Sequence, residues 1–307
     1  MDNLRGILLM VASMACFAIE DAFLKAAAAG LPLGQLIFVN CVAGMLVFGT
    51  LARLQGRALF ARGAWGGMAL LRNTSEILSS FSYITALALI PLSLASAILQ
   101  ASPILMTLFA ALFLGEMVGW RRWCAVAAGM AGVLVILRPG TEAFQPEAIW
   151  AVVSVLALTV RELATRRVSP EVGGMQIAFS ACAMLTGLGA VMMAFEGGPV
   201  MPDAAEAGLL LGVVASGTLG YGAVIAAART GEIAVVTPFR YSRLLFALVI
   251  GAVVFAERPD ALTLLGAGLI IASGLYTLAR ERKRRKMLAQ IAVPTTSLAP
   301  PVRLDKP

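Results

Sequence analysis

Apolar segments of about twenty residues recur along most of the chain, and this recurrence strongly limits the folds open to it. A helix that crosses a bilayer needs about 20 mostly apolar residues, because each residue advances it by about 1.5 Å. Hydrophobic residues make up 60% of the 307 residues and charged residues 13%, against about 25% charged residues in a globular protein. A soluble domain would expose much of this apolar surface, so the sequence predicts an all-α integral membrane protein.

The pattern divides into ten candidate transmembrane helices, and most of the breaks between them carry proline or glycine, which are turn signals. The predicted helices cover residues 4–24, 35–54, 65–89, 92–114, 122–137, 148–164, 175–195, 207–228, 233–255 and 261–279. The third and ninth contain arginine and are less apolar. A cleaved signal peptide or a lipoprotein signal are alternatives for the first helix, but Arg5 is offset by Asp2 and Ser13 does not fit a lipoprotein signal. An uncleaved first helix is therefore favoured.

Lysine and arginine are unevenly distributed between the predicted loops. Segments that follow the even-numbered helices hold most of them, whereas those after the odd-numbered helices hold only Lys25, Arg138 and Arg258. Because basic loops stay on the cytoplasmic side, both termini are expected in the cytoplasm. The basic run 280–286 follows the last apolar segment and is expected to touch anionic lipid rather than nucleic acid. Residues 280–307 are predicted to form a basic, disordered cytoplasmic tail.

Similar residues recur 141 positions apart, which indicates an internal duplication. The matches at this offset are Glu20 with Arg161, Asp21 with Glu162, Lys25 with Arg166, Gln35 with Gln176, Phe38 with Phe179, Cys41 with Cys182, and Glu116 with Glu257. The two units would cover residues 4–138 and 146–279, with five helices each. Because five is odd, the second unit must enter the membrane inverted. Inverted repeats are common in secondary transporters, where the substrate site lies near the midplane between the repeats.

Two segments resemble a known family. The first unit ends Ala101-Ser-Pro-Ile-Leu-Met-Thr-Leu-Phe-Ala-Ala-Leu-Phe-Leu-Gly-Glu116, and the second carries Phe255-Ala-Glu257. Together with the five-plus-five helices, they resemble the EamA domain pair of the drug/metabolite transporter superfamily over residues 4–279. The resemblance implies a ten-helix carrier of the bacterial inner membrane with a central cavity.

A third segment, Thr237-Pro-Phe-Arg-Tyr-Ser-Arg-Leu-Leu-Phe246, is similar to a subgroup of that superfamily. The subgroup contains RibN-type riboflavin transporters and S-adenosylmethionine uptake carriers. This similarity implies uptake of a flat heteroaromatic metabolite, with riboflavin as the first prediction. S-adenosylmethionine uptake and export of an amino acid or another metabolite are the alternatives.

Charged and polar side chains inside the predicted helices are the candidate pathway residues. A charge in hydrocarbon costs about 2.5–3.5 kcal/mol on insertion scales, so it normally faces a cavity or a partner. Four arginines and four carboxylates balance, which predicts paired charges, and aromatic residues offer stacking surfaces. Prolines at 91, 103 and 238 are expected to kink or interrupt helices, which favours the polar residues beside them as pathway residues. The predicted substrate pathway consists of Glu20, Asp21, Arg72, Glu76, Tyr83, Gln100, Arg161, Glu162, Thr237, Phe239, Arg240, Tyr241 and Arg243.

Two pairs within this set have alternative interpretations. Arg72 and Glu76 are four residues apart and share a helix face, so they either neutralise each other or respond to a proton or substrate. Arg240 and Arg243 also share a face, and either both bind carboxylates of other helices or at least one binds substrate. A substrate contact is favoured for the second pair. Glu257 is expected to be a helix-end charge at the membrane interface.

Several classes of protein are excluded or disfavoured by missing motifs. The chain has no histidine, and its four cysteines show no metal or disulfide spacing, so no cofactor or metal is expected. A phosphate-binding loop for ATP and a GxSxG nucleophile are absent, which argues against a pump and an enzyme. The sequence contains no selectivity-filter motif of the kind that would indicate a channel. We therefore expect exchange, facilitated diffusion or proton-coupled transport of a small molecule, with a homodimer left open.

Overall fold

The computed structural model describes residues 3–114, 119–142, 144–230 and 232–291, and these ranges contain helices and turns without a strand. The helices are α1 (Asn3–Ala27), α2 (Leu33–Leu54), α3 (Arg62–Trp65), α4 (Gly67–Leu89), α5 (Leu92–Leu99), α6 (Ser102–Leu114), α7 (Trp120–Leu137), α8 (Ile149–Arg167), α9 (Gly174–Phe195), α10 (Ala204–Thr230), α11 (Ile233–Val236), α12 (Ser242–Val254) and α13 (Ala261–Ile291). Short 3₁₀ turns cover Pro146–Ala148 and Thr237–Tyr241. The predicted all-helical class is confirmed for this part of the chain.

Within the described residues, eight helical segments are long and apolar enough to cross a membrane, which makes the chain a multi-span membrane protein. They are Asn3–Ala27, Leu33–Leu54, Leu92–Phe113, Pro146–Arg167, Gly174–Phe195, Ala204–Ala227, Thr237–Val254 and Ala261–Arg280. A shorter apolar helix, Trp123–Leu137, accounts for the fifth predicted crossing. The third lies in α4, which has 23 residues but carries Arg72, Asn73 and Glu76 and is therefore more polar than the eight.

Two of the predicted helices are interrupted, the fourth near its middle and the ninth within its first third. The fourth breaks after Gln100 into α5 and α6, and Pro103 follows in the first turn of α6, where a missing amide hydrogen costs little. The ninth is divided by the Thr237–Tyr241 turn, in which Pro238 cannot donate a helical hydrogen bond. Both breaks expose polar backbone and side chains well inside the bundle.

The helices pack in pairs that follow the 141-residue offset. Helices α2 and α9 begin and end 141 residues apart, and α7 and α13 begin 141 residues apart. The closest packed pairs are α1 with α10, α4 with α8, α2 with α9, and α7 with α13. At this offset α1 corresponds to α8 and α4 to α10, so the α1–α10 pair corresponds to the α4–α8 pair. In the other two pairs, each helix packs against its own counterpart in the other unit. The four packed pairs therefore follow the same correspondence as the sequence.

Glycine allows one of these pairs to approach closely. A Cβ atom on Gly132 of α7 would lie 2.8 Å from the carbonyl oxygen of Gly266 on α13, and one on Gly266 would lie 2.6 Å from that of Gly132. Small residues at such a crossing let two backbones meet inside a membrane. The packing of α7 on α13 depends on this mutual contact.

The last helix continues beyond the predicted membrane segment. The sequence predicts disorder from residue 280, whereas α13 extends through the basic run 280–286 to Ile291. Arginine, lysine, glutamate, methionine and leucine favour helix, and no proline or glycine interrupts them, so extension costs little. The remaining tail, 292–307, and the segment 115–118 with Glu116 lie outside the described residues.

Candidate functional site

A cavity of about 280 Å³ lies in the half of the bundle that contains Arg166, near the end of α8. Six of the predicted pathway residues line it: Gln100, Glu162, Thr237, Arg240, Tyr241 and Arg243. Both helix breaks contribute to its wall, together with α1, α8 and α13. Met14, Phe17 and Met106 supply apolar surface, so polar and apolar groups face each other across a small space, as in many ligand sites.

Asp21 and Arg243 form a closed ion pair beside this cavity. Arg243 Nη2 donates to both carboxylate oxygens of Asp21 at 2.7 Å, and its Nε donates to Oδ2 at 3.1 Å. The Tyr83 hydroxyl donates to the same Oδ2 at 3.0 Å. The guanidinium also lies over the rings of Phe17 and Tyr83. Because Asp21 is only 2% exposed, this pair is compensated within the protein.

A second cluster joins α4 to α8. Arg72 Nη2 lies 2.7 Å from Glu76 Oε2, which is the intrahelical pair that the sequence predicts. Arg161 Nη1 donates to both oxygens of Glu76 at 3.0 and 3.1 Å, and its Nη2 donates to Glu162. Two arginines and two carboxylates therefore neutralise one another. Glu162 is the member of this cluster that reaches the cavity.

Arg240 differs from the other three arginines. Its side chain is exposed to the cavity, and among the described residues its guanidinium makes no hydrogen bond or ion pair. Its backbone carbonyl accepts a hydrogen bond from Gln100 Nε2 at 3.3 Å, which ties the two helix breaks together. A planar guanidinium with free N–H groups suits a carboxylate, phosphate or carbonyl oxygen. The cavity thus offers a fixed cation to a ligand, with Glu162 as the carboxylate that acts on it.

Glu20 points away from its neighbour Asp21, since adjacent helical residues lie about 100° apart. Its Oε1 accepts one hydrogen bond, from Asn40 Nδ2 of α2, at 3.3 Å. The carboxylate also packs on α10 at Gly217, where an added Cβ atom would lie 2.8 Å from Oε1. Glu20 is therefore inside the bundle but outside the cavity lining.

Of the three aromatic residues predicted for the pathway, one lines the cavity. Phe239 is 38% exposed and does not line the cavity, and Tyr83 is engaged with Asp21. Tyr241 lines the cavity, with its buried hydroxyl packed on Gly274 and without a hydrogen-bond partner among the described residues. Phe17 also lines the cavity but was not predicted from the sequence, although it lies four residues before Asp21 and therefore on the same helix face. Phe17 and Tyr241 are the rings that a ligand would meet.

At the opposite end of the bundle, a carboxylate caps the start of a helix beside a second cavity of about 370 Å³. Glu257 accepts hydrogen bonds from the Leu92 amide at 2.6 Å, the Ser93 amide at 3.0 Å and the Ser93 hydroxyl at 2.6 Å. These groups form the start of α5, where free amides and the helix dipole favour a negative charge. Glu257 is thus a helix-end charge, as the sequence predicts, and it joins the two units of the chain.

Basic residues add further contacts at this end. Lys25 Nζ donates to the carbonyls of Leu87 at 3.0 Å and Ile90 at 2.6 Å, at the end of α4, where the dipole favours a cation. Nearby, the hydrogen bond from the Arg138 guanidinium holds the pKa of Asp260 well below its usual range. Polar contacts therefore link the helix ends at one side of the bundle, while the cavity lies toward the other.

Comparisons with known proteins identify the family of the chain. The model of the EamA-like transporter family matches residues 4–138 and again 145–279. The pseudopaline exporter of Pseudomonas aeruginosa is 30% identical, over 91% of this chain and 97% of that protein. The riboflavin transporter of Vibrio cholerae is 25% identical, over 94% and 98%. The S-adenosylmethionine uptake transporter of Rickettsia felis is 25% identical, over 70% and 72%.

A solved crystal structure shares the fold, with a TM-score of 0.60 and 20% identity over 92% of this chain and 98% of that one. The predicted resemblance to the EamA domains is confirmed by the family match, and the named relatives are transporters rather than enzymes. The chain is therefore a membrane transporter of the EamA-like transporter family.

Proposed function

We propose that the chain is a secondary transporter that moves a small metabolite by alternating access. The two units, 4–138 and 146–279, act as inverted five-helix repeats, with α4 and α7 as the remaining crossings. The 141-residue offset between helices and the two consecutive family matches support this arrangement. Cavities of about 280 and 370 Å³ lie toward the two ends of the bundle, as expected of a carrier whose site is reached from each side in turn.

The proposed orientation places both termini in the cytoplasm of a bacterial inner membrane. The cavity lies at the end that holds Arg166 and the start of the basic run, and basic loops remain on the cytoplasmic side. The state described here is therefore open toward the cytoplasm. The end with Lys25 and Glu257 faces outward, and polar contacts join its helix ends.

Arg240 is the observation that carries the substrate assignment. Among the described residues its guanidinium makes no direct ion pair, although Glu162 lies on the same cavity wall. A cation placed in this way inside a bundle favours a ligand that supplies a bound countercharge. A carboxylate makes a charge-assisted and often bidentate contact with arginine, which is stronger than a contact to a neutral carbonyl. Glu162, on the cavity wall, offers a site for a positive group of the same molecule. The geometry therefore supports best a metabolite that carries a carboxylate.

The specific substrates predicted from the sequence rank accordingly. S-adenosylmethionine presents a carboxylate to Arg240 and its sulfonium to Glu162 or to the rings of Phe17 and Tyr241. An exported amino acid or metabolite fits the same pair of charges, and the 30% identity to a metabolite exporter favours this second candidate. Riboflavin, the first prediction, would offer only imide carbonyls to Arg240, although two riboflavin transporters are among the relatives.

Binding to the purified chain tests this assignment. S-adenosylmethionine, leucine and riboflavin are each titrated while the unfolding temperature is measured. We expect a carboxylate-bearing compound to raise it, since a ligand at 100 times its Kd stabilises by about 2.7 kcal/mol. Arg240→Gln should abolish the increase, and Arg258→Gln, an exposed loop change, should retain it. An increase with riboflavin alone, unaffected by Arg240→Gln, would contradict the assignment.

A further inference from the structure

The Tyr241 ring owes its place in the cavity wall to Gly274 of α13. A Cβ atom on Gly274 would overlap the Tyr241 hydroxyl oxygen and lie 2.5 Å from the ring carbon Cζ. Such an approach is far inside van der Waals contact, so position 274 accepts no side chain while the ring stays where it is. Both residues line the cavity. The missing side chain therefore lets the ring rest against the α13 backbone.

The Tyr241 ring is packed tightly but is not anchored by a hydrogen bond. It is 6% exposed, and its hydroxyl finds no hydrogen-bond partner within the part of the chain that the structure describes. A buried hydroxyl without a partner is costly, so no polar contact favours the present position of the ring. Packing alone holds it, and moving it breaks no hydrogen bond.

Helix α13 has little freedom to withdraw from the ring. A neighbouring face of α13 packs on α7, where Gly132 and Gly266 bring the two backbones together. Ser273, the residue before Gly274, lies so close to α7 that a Cβ atom on Gly129 would meet its hydroxyl oxygen. Because the interior is close-packed there and the cavity is empty space, the ring moves more readily than the helix.

We propose that Gly274, acting through Tyr241, sets the size of the ligand that the cavity admits. The cavity of about 280 Å³ lies just below the usual range of ligand sites, about 300–1,000 Å³, so a small loss of volume matters. Tyr241 follows Arg240 in the 3₁₀ turn, and a ligand whose carboxylate binds Arg240 meets the ring with the rest of its body. This inference rests on the proposed function, because it takes this cavity as the substrate site. Gly274 is a positioning residue for specificity.

Cysteine labelling of the purified full-length chain tests the proposal without any substrate. Met106 lines the cavity, so Met106→Cys in a cysteine-free background places a thiol there. Methyl and benzyl methanethiosulfonate react in the same way and differ in size. Overpacking by one methyl group has an effect of about tenfold, so Gly274→Ala should slow the benzyl reagent by about that factor. The methyl reagent should keep its rate.

Two further variants separate this effect from a general disturbance of α13. Gly268→Ala is the matched control, because it adds the same atom to the same helix where nothing lies within 4 Å, and both rates should be unchanged. In a Tyr241→Leu background, Gly274→Ala should have no effect, since the ring through which it acts is gone. An unchanged benzyl rate in Gly274→Ala, equal slowing of both reagents, or persistence of the slowing without the ring would overturn the proposal.

Tyr241→Leu by itself keeps the proposal testable if Gly274→Ala does not fold. Removing the ring should raise the benzyl rate relative to the methyl rate, and an unchanged ratio would overturn the proposal. Ligand binding is measured by the unfolding temperature with leucine and S-adenosylmethionine. Gly274→Ala should weaken binding of the larger compound more, whereas equal weakening would contradict selection by size. If neither compound binds to the wild type, the substrate assignment at Arg240 fails, while the labelling rates still decide the role of Gly274.

Discussion

At the scale of single residues, each charge inside the bundle is explained by what it touches. Arg243 and Arg240 are three positions apart, yet one is bound by Asp21 and the other faces the cavity. The sequence predicted the balance of charges and the Arg72–Glu76 pair, because both follow from counting and helical spacing. It did not reveal which arginine lacks a direct ion pair among the described residues, since Asp21 lies 222 positions away from Arg243 and only tertiary packing joins them.

The Asp21–Arg243 pair predicts a large loss of stability when one partner is removed. Asp21→Asn leaves a buried guanidinium without a countercharge, and breaking a buried pair in this way costs about 3–5 kcal/mol. Unfolding of the purified chain in detergent measures the change. Replacing both partners, Asp21→Asn with Arg243→Met, should recover much of the loss. If Asp21→Asn is as mild as the exposed control Glu147→Gln, the pair is not a structural requirement.

At the scale of helices, interruptions line the cavity with polar groups, and caps join helix ends on the other side of the bundle. The prolines at 103 and 238 pointed to interrupted helices, and breaks are found beside both. Their consequence, a hydrogen bond between Gln100 and the Arg240 carbonyl, depends on two distant segments meeting. The cap on α5 was likewise beyond prediction, because Glu257 and Leu92 are 165 positions apart.

The Glu257 cap predicts a gate that a single substitution can weaken. Glu257→Gln removes the negative charge at the start of α5 while keeping the side-chain size. A loss of about 1–2 kcal/mol corresponds to a change of about 5–30-fold in the open population. A cysteine at Ala97, which is 1% exposed, should then react faster with a membrane-impermeant thiol reagent in a cysteine-free background. Arg258→Gln is the neighbouring control, and equal rates in both would show that the cap does not hold this end shut.

At the scale of the whole molecule, the duplicated pattern and the family match describe one architecture. The sequence predicted the helical class, the family and the approximate helix positions, because apolar length and a constant offset are local or periodic signals. Eight segments among the described residues meet the criteria for crossing, and α4 falls short because Arg72, Asn73 and Glu76 make it more polar. Which helix ends are joined depends on contacts between the units, and these have no signature in the order of residues.

Counterflow into proteoliposomes tests most directly that the chain carries a small metabolite through the Arg240 cavity. Vesicles containing the purified transporter are loaded with unlabelled S-adenosylmethionine and diluted into a trace of the labelled compound. We predict transient, saturable accumulation by the wild type and by Arg258→Gln. Arg240→Gln should reduce it by at least about tenfold, since losing a buried charged contact costs 2–5 kcal/mol and 1.4 kcal/mol corresponds to tenfold. Undiminished counterflow in Arg240→Gln would contradict the account.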